Sequence, residues 1–218
     1  MTGAAPRSRS LAGRDYGGRT AQARRADRRD RLLAAGLELF GTNGFRATSI
    51  DRLCSAANVS TRNFYEEFIS REALLIALYD QVNTEALRAV YGALSIAEEQ
   101  QLNTAARLAT AITAYVHTTS DDPRWTRINY VEVVGVSPEV EAHRQRWGER
   151  LRELVMGEAE RAVRRGDAQP RDFEMAATAF IGAVNELVYQ WTRNGRTPEV
   201  DQICAELTRV AVAMLTSP

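Results

Sequence analysis

The residues best suited to chemistry in this chain are Thr61, Arg62, Asn63 and Tyr65, polar side chains at the start of a short helix whose Phe64 and Phe68 lie four apart and share its apolar face. A polar tip of this kind fits the major groove of DNA. Arg62 can donate two hydrogen bonds to guanine, Asn63 can pair with adenine, and Thr61 can meet a phosphate or a thymine methyl. Arg46, Ser49 and Ser60 complete the set of candidate contacts at the same end of the segment.

The elements that must position this tip are legible in residues 44–74. A preceding helix opens at Thr48 or Ser49, whose hydroxyls can cap its free amides, and puts Ile50, Leu53 and Cys54 on one face. Ala56 and Ala57 permit a close crossing, Asn58 tolerates a left-handed conformation, Val59 plugs the corner, and Ser60 caps the next helix. Two short helices joined by a tight turn, the second with a polar start, form a helix-turn-helix. An ordinary helical hairpin has no need of the polar cluster at its capped tip.

Residues 28–78 resemble the DNA-binding domain of the tetracycline-repressor (TetR) family of transcriptional regulators. The resemblance is carried by Phe40, Gly44 and Phe45, the helix start Thr48–Ser49, the turn Ala57, Asn58, Val59 and Ser60, the pair Phe64–Tyr65, and then Phe68, Arg71, Glu72 and Leu74. It implies that Thr48, Tyr65 and Arg71 hold phosphates while Thr61, Arg62 and Asn63 approach bases. Three features, over four positions, depart from the family pattern. Asn58 stands where glycine is usual; Arg62 stands where a small residue is common, and either reads a base or lies along the backbone. Glu66 and Glu67 replace aromatic or basic residues; they pair with nearby Arg, or accept from cytosine N4, or, the reading we favour, form a solvated acidic face.

Composition agrees with a folded nucleic-acid-binding protein. The chain has 218 residues, 44% hydrophobic, and a formal net charge of zero that hides an asymmetry. Residues 1–31 carry nine Arg against Asp15, Asp27 and Asp30, so this end is +6 and the remainder −6. Residues 1–22 lack hydrophobic periodicity and are expected to be a disordered basic arm, either a solvated tail or one whose Arg7, Arg9, Arg14 and Arg19 meet phosphates or a minor groove. No apolar run approaches membrane-spanning length and the start of the chain has no apolar core, so a cytoplasmic protein without membrane contact is expected. Two cysteines, Cys54 and Cys204, and two histidines, His117 and His143, offer no metal-ligand spacing. No catalytic residue, metal or cofactor is assigned.

Helical spacing and punctuation predict an all-α chain of about nine helices: an N-terminal three-helix helix-turn-helix domain over residues 23–70 and a helical effector-binding and dimerisation domain over 71–218. The first helix spans Ala23 to Thr42. A fourth, from Arg71 to about Leu94, is long enough to link the two lobes. Further helices are expected over Ala105–Thr118, from Asp122–Pro123 to about Val134, from Ser137–Pro138 to near Gly166, from Pro170 to near Gly195, and from Thr197–Pro198 to Leu215. Val131 to Val136 also reads as a short strand, although an isolated one.

The helix containing Phe173, Phe180, Val184, Leu187 and Trp191 is apolar on more than one face and needs partners on two sides, from its own chain or from a second copy. By the family resemblance, the last two long helices of each subunit form a four-helix interface, and the expected partners are a homodimer mate, a double-stranded DNA operator and an unknown small-molecule effector. Candidate effector contacts are Tyr115, Trp125, Asn129, Tyr130, Trp147, Phe180, Asn185 and Tyr189, with Asn185 favoured as a buried amide in need of a partner. Glu132 can face a cationic ligand, but a lone carboxylate beside Tyr130 is more often exposed. Repression relieved by ligand is the expected output. An architectural DNA-binding dimer without an effector is the alternative; a helical enzyme is a weaker one, because no glycine-rich phosphate loop, nucleophile triad or paired-carboxylate pattern is present.

Overall fold

The computed structural model describes residues 21–216. The proposed arm therefore lies outside the described residues except for Ala21 and Gln22, which are helical. Nine α-helices and no strand occur among the described residues. They are α1 (Ala21–Asn43), α2 (Ile50–Ala57), α3 (Thr61–Glu67), α4 (Arg71–Glu99), α5 (Thr104–Ser120), α6 (Pro123–Arg127), α7 (Pro138–Arg165), α8 (Glu174–Arg193) and α9 (Val200–Thr216), with a π-helical turn at Ile128–Glu132 after α6.

Local chemistry sets the helix ends. Ser49 accepts from the Arg52 amide at 3.3 Å, Ser60 from Asn63 at 3.2 Å and Ser70 from Ala73 at 3.1 Å, so α2, α3 and α4 each start on a serine cap. Asn58 closes α2 in the left-handed conformation (φ 50°), and Arg31 of α1 donates to the carbonyls of Ala57 and Asn58 at 2.8 and 2.9 Å, satisfying groups that the helix end leaves free.

One apolar cluster runs through the whole N-terminal half and past it. Leu32, Phe40, Leu53, Phe64 and Leu74 are fully buried, and the cluster continues into Ile128, Val133, Val140 and Trp147. Truncating one of its phenylalanines to alanine costs about 3–5 kcal/mol. The N-terminal helices are thus seated on α6 and the π-helical turn as well as on α4. Two glycines permit close approach: a Cβ at Gly36 would lie 3.1 Å from the side chains of Leu74 and Leu78, and one at Gly41 would lie 2.8 Å from the Arg124 backbone. A second cluster joins α5, α8 and α9 around Val116, Phe180, Val188 and Leu207.

Several boundaries differ from those read in the sequence. Helix α4 continues to Glu99 because Leu94 and Ala97 are still buried. The segment after Asp122 is not one regular helix: α6 ends at Arg127 and the chain widens into a π turn in which Ile128, Asn129 and Tyr130 are all buried, which also removes the strand alternative. Helix α8 starts at Glu174 and not at Pro170, since Phe173 folds into a small cluster with Ala159, Ala162 and Leu215 and Asp172 accepts from the Glu174 amide at 2.8 Å. No described helix is long and apolar enough to cross a membrane, and no group of three metal-ligating side chains occurs among the described residues. Both cysteines are free and buried; burial pushes both thiols up from their ordinary range.

Candidate nucleic-acid interface and effector cavity

The α3 tip stands clear of the body. Thr61, Arg62 and Tyr65 are exposed, Asn63 is half-buried, and Phe64 and Phe68 anchor the opposite face. Tyr65 is 53% exposed. Arg62 extends into solvent and lies 3.5 Å from Glu66 on the next turn, a loose pair that leaves its guanidinium mobile enough to be redirected. Arg46 is exposed beside the start of α2.

Not every candidate keeps the role assigned to it. Thr48 is fully buried and its hydroxyl donates to the Gly44 carbonyl at 2.9 Å, so it braces the α1–α2 turn and does not present a donor to a phosphate. Ser49 and Ser60 are exposed and spend their oxygens as helix caps. Arg71 is half-buried; it donates to the carbonyls of Thr48 and Phe45 and stacks over the Phe45 ring at 4.8 Å, which fixes its guanidinium at the base of the reading unit. The acidic-face reading fails at Glu67, whose side chain is only 2% exposed. It accepts from Arg25 and Arg28, each at 3.1 Å, and its carbonyl accepts from Arg29 at 3.3 Å. Three α1 arginines thereby clamp the end of α3. Glu66 remains half exposed, 3.5 Å from Arg28.

Behind this unit, helices α4, α5, α7 and α8 enclose two adjoining cavities. The larger is almost wholly apolar, with Val90, Ile112, Leu154, Phe173, Phe180 and Val184 on its walls. The smaller, about 450 Å³, is polar and is lined by Tyr79, Tyr115, Asn129, Tyr130 and Arg144. Tyr115, Leu151, Ile181 and Asn185 line both, so the two share a wall.

A hydrogen-bond network organises the polar chamber. Buried Asn83 donates to Asn129 Oδ1 at 2.8 Å and to the Tyr79 carbonyl at 2.9 Å; Tyr115 Oη lies 3.4 Å from Asn83 Oδ1; Tyr130 Oη lies 2.8 Å from Thr119 Oγ1. Burial raises the Tyr79 and Tyr130 hydroxyls to about 12 and holds Tyr115 well above its ordinary value, so all three stay protonated at neutral pH.

Of the predicted effector contacts, Tyr115, Asn129, Tyr130, Phe180 and Asn185 line the cavities. Asn185 is exposed, however, not a buried amide: α8 turns its apolar stripe inward and leaves Asn185 at the rim. Trp147 belongs to the N-terminal core and donates to Asp80 at 2.7 Å; Trp125 packs against that same core; Tyr189 accepts from Arg193 at 3.3 Å. None of these three lines either of the two cavities. Tyr79, Asn83 and Arg144 were not singled out, since nothing in their local pattern separates an inward polar residue on α4 or α7 from a solvated one.

The site missed most completely is the junction between the lobes. Glu132, expected to be exposed, is largely buried and bridges two groups: its Oε2 accepts the Phe45 amide at 2.7 Å and its Oε1 accepts Arg127 Nε at 2.7 Å, while Arg127 Nη1 donates to the Thr42 carbonyl at 2.7 Å. Gly44 (φ +92°) passes between them where a Cβ would lie 3.0 Å from Arg127. Arg124 adds an ion pair to Glu38 of α1 at 2.8 Å.

Comparison with known proteins agrees with this architecture. The family described as bacterial regulatory proteins, tetR family, matches residues 32–78, and a tetracyclin repressor-like C-terminal domain matches residues 101–215. HTH-type transcriptional regulator UidR of Escherichia coli (strain K12) is 39% identical over 59 residues, 27% of this chain, and the match spans only 30% of that relative's length. HTH-type transcriptional repressor KstR2 of Rhodococcus jostii (strain RHA1) is 24% identical over 195 residues, 89% of this chain and 94% of that one. Among solved structures, the fatty acid degradation regulator FadR from Bacillus halodurans superposes with a TM-score of 0.76 at 13% identity, covering 85% of this chain and 94% of its own. FadR from Bacillus subtilis in complex with stearoyl-CoA gives 0.73 at 15% identity, covering 85% and 98%. At such identities these structures establish the fold.

Proposed function

The chain belongs to the tetR family of bacterial regulatory proteins, and from that premise we propose that it is a sequence-specific transcriptional repressor that leaves a palindromic operator when an apolar small molecule fills the cavity among α4, α5, α7 and α8. The observation that carries this reading is the pairing of an exposed polar α3 tip with a large apolar cavity behind it, joined by the π-helical turn. Residues 23–70 are the DNA-reading unit and residues 71–218 the effector and dimerisation unit. The protein acts in the cytoplasm and as a regulator, not a catalyst.

On DNA, Arg62 and Asn63 read bases, Thr61, Tyr65 and Arg46 contact the backbone or a base methyl, and Arg71, Ser49 and Ser60 hold the frame. Two copies, joined through α8 and α9, set two α3 helices about 34 Å apart for half-sites one turn apart, or further for wider operators. Exposed Met175, Ala179 and Gly182 on α8, and Ala205 and Ala213 on α9, support a close helix-to-helix contact there.

The switch runs through one turn of chain. Asn129 and Tyr130 face the polar chamber, and Glu132, at the end of the same π turn, holds the Phe45 amide. A ligand that favours another packing of this turn moves the reading unit relative to its mate. A 100-fold loss of operator affinity needs a coupling of about 2.7 kcal/mol, within the ordinary range for allosteric proteins. The resemblance to a FadR structure that contains stearoyl-CoA supports an apolar effector.

The test is DNA binding as a function of salt by the purified protein. If each subunit of a dimer neutralises roughly four phosphates, log affinity against log salt falls with a slope of about −7; a slope near −1 overturns the reading.

A further inference from the structure

The cavity system ends in two charged sites of opposite character. At one end Glu158 reaches the apolar wall, but it accepts from Arg107 Nε at 3.3 Å and from Arg161 Nη1 at 2.7 Å, and Arg107 is further paired with Glu98 at 2.6 Å. These charges have partners, and the cluster ties α5 to α7. It has little left to offer a ligand.

The other end is Arg144. Its Nη1 donates to Glu141 Oε2 at 2.7 Å, but its Nε is buried and makes no hydrogen bond. A buried, charged donor left without an acceptor is costly and calls for a partner. The polar groups around it already have partners: Tyr115 Oη meets Asn83 Oδ1 at 3.4 Å, Tyr130 Oη meets Thr119 Oγ1 at 2.8 Å, and the Asn129 oxygen accepts from Asn83 at 2.8 Å. The chamber thus keeps one guanidinium N–H without an acceptor, and it adjoins the apolar cavity. The group that accepts from a guanidinium and donates nothing in return is a carboxylate.

We propose that the effector is an amphipathic carboxylic acid bound as its anion, with its hydrocarbon body in the apolar cavity and its carboxylate in the chamber at Arg144. This rests on the reading of the cavity as the effector site. It also separates the free acid from its coenzyme A thioester. Esterification removes the negative charge at the carbonyl end, and the chamber supplies one cation, already shared with Glu141, for a head group that carries several phosphates.

The full-chain protein titrated calorimetrically with decanoate, 1-decanol and decanoyl-CoA tests this, alongside Arg144→Gln and a hydrophobic fluorescent probe whose displacement reports cavity occupancy. Decanoate is expected to bind at least about tenfold more tightly than decanol, as one charge-assisted hydrogen bond implies, and more tightly than decanoyl-CoA. In Arg144→Gln the preference for the acid collapses while decanol binding is kept, which also shows that the variant is folded. Lengthening the acid tightens binding about fourfold per methylene until the cavity is full. Equal binding of acid and alcohol to the natural protein, or thioester binding as tight as the acid, overturns the carboxylate assignment and leaves the apolar effector site standing. Failure of all three compounds to bind or to displace the probe overturns the effector site itself, and the assignment with it. Should Arg144→Gln not fold, the three-way comparison on the natural protein decides alone.

Discussion

Glu132 Oε2 accepts the backbone N–H of Phe45 at 2.7 Å, joining residues 87 positions apart and tying the turn that lines the polar chamber to the turn that precedes the helix-turn-helix. Because Arg127 grips both Glu132 and the Thr42 carbonyl, a shift of the π turn is delivered to the reading unit by hydrogen bonds as well as by packing.

Glu132→Ala is therefore expected to uncouple the lobes. Operator affinity without ligand stays within about threefold, while a ligand effect of about 100-fold falls below about tenfold, a loss of more than about 1.4 kcal/mol of coupling. Fluorescence anisotropy with and without ligand measures both quantities; an undiminished ligand effect would place the coupling elsewhere, with α4 the next element to test.

Thr48→Val separates support from contact. With its hydroxyl bonded to the Gly44 carbonyl in a buried turn, its removal lowers stability by about 1 kcal/mol and leaves the salt dependence of DNA binding as it was. Loss of one unit or more of salt slope at unchanged melting temperature would return Thr48 to the phosphate-binding set.

Glu67→Gln strips the negative charge from under Arg25 and Arg28. The pair is only partly buried on the arginine side, so a destabilisation of about 1–3 kcal/mol is expected, read by denaturant unfolding as a lower midpoint at unchanged slope. No change would mean that the arginines relax into solvent.

His117 Nδ1 and Nε2 sit 2.9 Å from Asp121 and Asp201, and the bond to Asp201 is the main cause of its raised proton affinity. A proton bound more tightly in the folded state stabilises fully below the ordinary histidine value and fades as pH rises through the folded one. The melting-temperature gap between the natural protein and His117→Gln is thus widest at about pH 5.5 and narrows towards about pH 8.5. A gap that widens with pH would contradict the pairing.

The difference between what was readable in the sequence and what was not follows from range. Ser49, Asn58, Ser60, Phe64 and Phe68 act within a few residues of themselves, through caps, a left-handed turn and a four-residue spacing, and the structure has those helices where the pattern puts them. Glu132, Arg144 and Glu67 derive their environments from partners brought together by folding, and for Glu67 the only signal was the run of arginines at 25, 28 and 29. Asn185 has apolar neighbours in sequence that are not its neighbours in space: on the helix, residue 185 turns away from the stripe formed by Phe180, Val184 and Val188. Trp147 looked like a ligand contact because its ring is large, whereas Asp80 already satisfies its indole N–H.

The most direct test of the central claim is selection of bound sequences from a random duplex pool by the natural protein, by Arg62→Ala and by Asn63→Ala. The account predicts a palindromic site in which particular base positions lose preference in each variant, at a cost of about 1–3 kcal/mol per contact. Recovery of no enriched sequence by the ligand-free natural protein would contradict it.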